Sequence, residues 1–236
     1  MSLSGIKAVI RAAAPPRPVP RADEVFPTEG LRSAAAAAER GDVAGLRALT
    51  ARGVDLDEVI PGDVNLLVYE VAAKNEAAVR ALLDAGADPN RVTKAGTSPM
   101  LVAAAVEDPR FLGILLDKGG DPNLKNHRGE PLLHQAITYS IWGNVRLLAT
   151  RGADIEAKDG SGRTPALKLA YIHQYEEVSW FLDRGADPLA ADAGKRTLRD
   201  LVTTNVLDPS SPQEAWRKHV AKRLGVEEGS APSAGG

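Results

Sequence analysis

Apolar positions recur along the chain in a fixed register. Leu46, Val79, Leu112, Val145 and Val178 stand 33 residues apart. Three residues after each come Leu49, Leu82, Leu115, Leu148 and Phe181, and one further come Thr50, Leu83, Leu116, Ala149 and Leu182. Spacing of i, i+3, i+4 places these side chains on one face of an α-helix. Five such faces at a constant interval predict helices stacked side by side around one continuous core. Glycines at 53, 86, 119, 152 and 185 keep the same period and follow each stripe, where a chain leaves a helix through a left-handed residue.

A second helix precedes each of these. In the first unit the pattern predicts helices from Leu31 to Arg40 and from Val43 to Arg52, with Gly41-Asp42 as the turn. Thr164-Pro165 supplies a hydroxyl cap followed by a proline at the first helical position, and Ser98-Pro99 reads the same way. Gly96, Gly129 and Gly162 precede these starts and suit a turn with positive φ. Each Gly-x-Asp segment is read as a helix stop, with the aspartate accepting backbone N–H bonds in the loop. Two departures stand out. Glu70 falls on the core side of a first helix; a slightly rotated helix with Glu70 paired or near solvent is the preferred reading, and a recognition role is the other. Asp108-Pro109 at an inter-helix turn is expected to shorten the helix before it.

Residues 1–26, with Pro15, Pro16, Pro18 and Pro20, read as a flexible leader, with Phe26 as the first residue to dock. Repeats occupy 27–205. Residues 206–226 hold a loop and a capping helix from Gln213 to Leu224, with Trp216, Val220 and Leu224 on one side. Residues 227–236 read as a disordered tail.

The segments Gly96-Thr-Ser-Pro-Met100, Gly129-Glu-Pro-Leu-Leu-His134 and Gly162-Arg-Thr-Pro-Ala166, with the five Gly-x-Asp loops, resemble the ankyrin repeat. The resemblance implies an all-α solenoid of about five helix–turn–helix repeats with loop hairpins, plus N- and C-terminal caps. It also implies a concave face of first helices and loop tips that binds partner proteins. In that family pattern His134 hydrogen-bonds backbone in the adjacent loop. Glu107-Asp-Pro-Arg-Phe-Leu112, Gly119-Gly-Asp-Pro-Asn-Leu124 and the ending Asp208-Pro-Ser-Ser211 with Trp216-Arg217 are similar to a narrower group of bacterial ankyrin proteins. That group is associated with secreted toxic enzymes, including phospholipases, as immunity proteins.

Composition adds mainly exclusions. Apolar residues make up 44% of the chain and aromatics only 4%, so the core is expected to rest on closely spaced, alanine-rich helices. A net charge of −2 gives no electrostatic case for nucleic acid. Without cysteine there is no disulfide, thiolate metal site or Cys nucleophile. No apolar run reaches the roughly 20 residues of a membrane span, so no membrane insertion is expected. The remaining three histidines, His127, His173 and His219, read as surface residues, and no pair of histidines has metal-ligand or catalytic spacing. Gly160-Ser161-Gly162 lacks a preceding strand and is not a nucleophile elbow. The periodic Asp88, Asp121, Asp154 and Asp187 read as loop caps rather than general acids. No cofactor, metal or catalysis is therefore expected.

Six of the ten aromatics fall within 139–181: Tyr139, Trp142, Tyr171, Tyr175, Trp180 and Phe181. Phe181 and Trp180 belong with the second-helix core. Tyr139 and Tyr171 fall near the ends of first helices, where earlier repeats carry Ala72-Ala73 and Ala105-Val106. Exposed tyrosines are favoured interface anchors; packing between first helices is the other reading. The candidate contact set is Thr138, Tyr139, Tyr171, Ile172 and Val106, with Lys94, His127, Arg128, Glu130, Arg163 and Arg196 at loop tips. The tips lean basic, which suits either an acidic partner or a solvated rim. The expected activity is non-catalytic binding of a folded protein, as an inhibitor of a co-encoded effector enzyme, with a general scaffold as the alternative. A free monomer is expected. The compartment is cytoplasmic by default and periplasmic if a signal segment precedes these residues.

Overall fold

The computed structural model describes residues 20–205 and 207–226. The expected leader up to residue 19 and the expected tail from 227 fall outside them. The described residues form thirteen helices and no strand. They run as α1 (Ala22–Val25), α2 (Glu29–Glu39), α3 (Val43–Ala51), α4 (Leu66–Ala72), α5 (Glu76–Ala85), α6 (Pro99–Ala104), α7 (Pro109–Asp117), α8 (Leu132–Thr138), α9 (Trp142–Thr150), α10 (Pro165–Tyr171), α11 (Tyr175–Leu182), α12 (Leu198–Thr204) and α13 (Pro212–Arg223). Helices α2 to α11 are five antiparallel pairs. Helix α12 opens a sixth unit and α13 closes the stack against α11 and α12.

The start of each first helix is chemically marked. Thr28, Asn65, Ser98, Thr164 and Thr197 each accept a backbone N–H of the first turn through their side chains. Pro131 takes this place in the fourth unit and leaves α8 without a side-chain cap. The second helices bury the stripe read from the sequence. Leu46, Val79, Leu112, Val145 and Val178 are all fully buried, as are Leu82, Leu115, Leu148 and Phe181. Gly86 leaves α5 at φ 106°, a conformation that a Cβ would strain.

The loops between units form a ladder. Asp55, Asp88, Asp121, Asp154 and Asp187 each accept the N–H two residues on. The residue at the end of each segment then reaches the next unit: Asp57, Asn90, Asn123 and Glu156 accept the N–H of Asp88, Asp121, Asp154 and Asp187. Asn90 and Asn123 also donate to the carbonyls of Gly119 and Gly152. Beyond the ladder the second to sixth units each project a tight hairpin, numbered here by its unit and closed by one bond repeated at Ile60–Val64, Thr93–Thr97, Asn126–Glu130, Asp159–Arg163 and Asp192–Arg196.

Docking at the N-terminal end begins ahead of Phe26. Helix α1 is a single turn, and the Pro20 carbonyl accepts the Tyr69 hydroxyl at 2.7 Å. Phe26 is buried and meets Tyr69 edge-to-face, with ring centroids 5.4 Å apart. Residues 20–26, read from sequence as part of the leader, thus pack as the first unit's loop.

Helix α6 has six residues where α4, α8 and α10 have seven, as the Asp108-Pro109 turn led one to expect. In the other units a left-handed residue (Gly41, Lys74, Ser140 or His173) opens the inter-helix turn. The N–H following it then closes on a first-helix carbonyl, as Asn75 does on Glu70 and Ile141 on Ala136. Glu107 is not left-handed. There the Asn144 side chain, fully buried at the start of α9, donates to the carbonyls of Ala103, Ala104 and Val106 at 3.2, 3.1 and 2.7 Å. A side chain from the next unit so replaces the local backbone closure.

Glu70 corrects its preferred reading. The helix is not rotated outward: Glu70 is 1% exposed and its Oε1 has no hydrogen-bond partner. Burial pushes its carboxyl up to about 7, the nearby charge of Glu39 adds to this, and a bond from the Asn75 side chain opposes it.

Candidate partner-binding surface

The five contact candidates at the first-helix ends separate on inspection. Helix α8 ends at Thr138, and Tyr139 caps it before the left-handed Ser140. Helix α10 ends at Tyr171, and Ile172 caps it before the left-handed His173. Tyr139 and Ile172 are therefore equivalent positions one repeat apart, and both are open to solvent at 46% and 42%. Thr138 is exposed beside them, its hydroxyl donating to the His134 carbonyl at 2.8 Å.

Val106 stands at the same repeat position but is only 8% exposed. Its carbonyl is held by Asn144, so the α6 end is drawn against α9 and Val106 cannot serve as a contact residue. Tyr171 is half-buried rather than free. Its hydroxyl donates to Asp192 Oδ2, and the Arg163 guanidinium lies over its ring at 5.3 Å. Burial, then the Asp192 carboxylate, raises the Tyr171 hydroxyl above its ordinary value, while the tyrosine hydroxyl holds Asp192 low. Tyr171 thus fastens α10 to the sixth hairpin. The two tyrosines paired by the sequence reading have different surroundings.

The tip residues divide likewise. Lys94, His127 and Arg128 are exposed. His127 also lies against Gly96, where a Cβ would come within 2.4 Å of its Nδ1, so the third and fourth hairpins touch. The other three are tied to neighbours. Glu130 pairs with Lys168 at 3.2 Å, Arg163 with Asp159 at 3.0 Å, and Arg196 lies beside the Tyr171 hydroxyl.

Beneath this surface sits a buried polar cluster. His134 is fully buried and its Nε2 lies 2.6 Å from the Ala157 carbonyl. A carbonyl only accepts, so Nε2 carries the proton. Burial lowers the His134 pKa and keeps the ring neutral, with Nδ1 unpartnered and 4.0 Å from Asp159 Oδ2. Burial alone would raise Asp159; the N–H groups of Arg163 and Ser161 and the charge of Arg163 outweigh it and hold the carboxyl low. Lys168, itself buried, donates to the His134 carbonyl at 3.0 Å. His134 and Lys168 link one repeat to the next, while Asp159 holds its own hairpin together.

Lys168 and Asn144 were not singled out in the sequence. The available signal was positional. Lys168 stands where the other units carry Ala36, Tyr69, Val102 and Gln135, and Asn144 where they carry Gly45, Ala78, Phe111 and Glu177. Among the described residues no group of three His, Cys, Asp or Glu side chains could hold a metal ion, and no helix is long and apolar enough to cross a membrane.

The sequence matches no protein-family model and no curated protein. Solved structures do match. The ankyrin repeat domain of Bcl-3, a member of the IkappaB protein family, superposes with a TM-score of 0.68 at 24% identity, over 83% of this chain and 86% of that one. The ankyrin repeat protein EF0377 superposes with a TM-score of 0.64 at 24% identity, over 84% of this chain and 98% of that one. The fold is an ankyrin-repeat solenoid.

Proposed function

We propose that the protein is a non-catalytic binder of a folded partner protein, and that the partner sits over the α8 and α10 ends with Tyr139 and Ile172 as its apolar anchors. The observation that carries this is the pair of large apolar side chains exposed at equivalent positions of adjacent repeats. Their counterparts in the preceding units, Ala73 and Val106, are small or buried. A fixed framework carrying a local change of this kind is how a repeat scaffold gains a specific partner. The narrower sequence resemblance suggests a secreted effector enzyme, such as a phospholipase, as that partner. Binding would then block its site or its docking surface.

The test is capture from the source cell lysate with wild-type protein and with Tyr139→Ala/Ile172→Ala. Wild type is expected to retain one dominant enzyme in a 1:1 complex that lacks activity. The double variant should bind it at least about 30-fold more weakly, as loss of interface anchors does, with an unchanged melting temperature. Unchanged affinity would remove these residues from the interface. Many weak, salt-sensitive partners would instead select the scaffold reading.

A further inference from the structure

The cations of this molecule fall into two populations. Along the second helices, those at the junctions between units meet a carboxylate of a neighbouring unit or of the cap. Arg110 pairs with Glu76 at 3.1 Å, Lys118 with Asp84 at 2.6 Å, Arg151 with Asp117 at 2.5 Å, Arg146 with Glu177 at 2.7 Å, and Arg223 with Asp183. In the fifth and sixth hairpins the cations other than the exposed Lys195 are also engaged. Arg163 is on Asp159, Lys158 donates to the Ala191 carbonyl, and Arg196 lies beside Tyr171.

The third and fourth hairpins differ. Lys94, Lys125 and Arg128 are exposed and form no ion pair among the described residues. Arg91 is exposed beside Val92 and also forms no ion pair among the described residues. The local carboxylates are turned to other tasks. Asp88 and Asp121 accept backbone N–H groups, Glu130 takes Lys168, and Asp63 takes the Thr93 hydroxyl and the Ala95 N–H. Val92, 41% exposed, lies between Arg91 and Lys94 in the chain, and the Gly96–His127 contact joins the two hairpins.

Resting on the reading of the protein as a protein binder, we propose that this edge receives an acidic segment of the partner, with carboxylates on Lys94, Lys125 and Arg128 and an apolar side chain on Val92. Charge complementarity selects the occupant. The segment is bounded, because the second unit carries Asp55, Asp57, Glu58 and Asp63 in its loop and hairpin, and Asp63 sits against Thr93 and Ala95 on either side of Lys94. A nucleic acid, with its unbroken line of phosphates, would run into that acidic hairpin. A short run of Asp or Glu in a protein stops before it.

The probe is a short labelled peptide of glutamates around a single leucine, followed by fluorescence anisotropy at low and at physiological salt. Oligothymidylate serves as the nucleic-acid comparison. Lys94→Glu/Arg128→Glu is expected to weaken peptide binding by at least about tenfold. Arg40→Glu/Arg52→Glu, an equal change in net charge at exposed residues elsewhere, should leave binding within about twofold, as screening of distant charges requires. The proposal is overturned if wild type does not bind the peptide, if both double variants weaken it equally, or if oligothymidylate binds more tightly. Its failure is separable from that of the binder reading. A captured partner lost with Tyr139→Ala/Ile172→Ala but retained by Lys94→Glu/Arg128→Glu leaves the binder standing and removes the acidic-segment edge.

Discussion

Replacing Asn144 by aspartate is expected to lower stability by about 4 kcal/mol at neutral pH, the cost of an uncompensated buried charge. The side chain is fully buried, and its amide nitrogen faces three carbonyl oxygens of the preceding unit. A carboxylate there has no proton to offer and meets three oxygens across a dry interface. The α6 end already lacks its local closure because the chain turns at Asp108-Pro109, so nothing else stands in for the lost donor. A drop in melting temperature on the order of 10 °C follows for a chain of this size. Acid should reverse part of it, since a protonated aspartic acid again donates one hydrogen bond. Thermal melts of wild type and Asn144→Asp at neutral and mildly acid pH decide the matter. A neutral-pH melt within about 2 °C of wild type would show that the three carbonyls are satisfied in another way.

Glu70→Gln is expected to act in the opposite direction. The folded protein holds the Glu70 proton up to about pH 7, whereas an unfolded chain releases it near the ordinary value of 4.5. The folded state therefore binds more protons between these values, and this group's contribution to stability falls as pH rises through that window. At 1.36 kcal/mol per unit the loss is roughly 3 kcal/mol by pH 8. Glutamine keeps the shape and cannot ionise, so it should flatten this part of the profile. Denaturant melts of both proteins at pH 4.5 and pH 8 isolate the effect from the other titrating groups. The expected result is a gap that widens in favour of Glu70→Gln by about 3 kcal/mol from the lower to the higher pH. A constant gap would mean that Glu70 is ionised inside the fold.

Both residues show which parts of this molecule a sequence displays. Whatever the units repeat was legible: the apolar stripe, the glycine stop and the aspartate loop cap, with the hydroxyl before the first helix at Ser98 and Thr164. Repetition makes such features visible because the same local physics acts five times. Asn144, Lys168 and Glu70 occur once each, and their partners lie across a repeat interface or in an adjoining turn. Their roles depend on which carbonyl or carboxylate a neighbour brings close, and this is not written near them in the chain. The surroundings of Val106 and Tyr171 were not legible for the same reason. One is drawn inward through its carbonyl by Asn144. The other reaches a hairpin 21 residues further on. Tyr139 and Ile172, which make no such long-range contact, stand where their repeat positions suggest.

The central claim is that a partner lies on the α8 and α10 ends and the hairpin edge, while the second helices serve only as framework. Hydrogen exchange of the wild-type chain, free and bound to its captured partner, tests it most directly. The account predicts slower exchange in the complex at the turns around Ser140 and His173 and at the third and fourth hairpins, with α5, α7, α9 and α11 unchanged. Slowing confined to those second helices or to the α13 cap would contradict it.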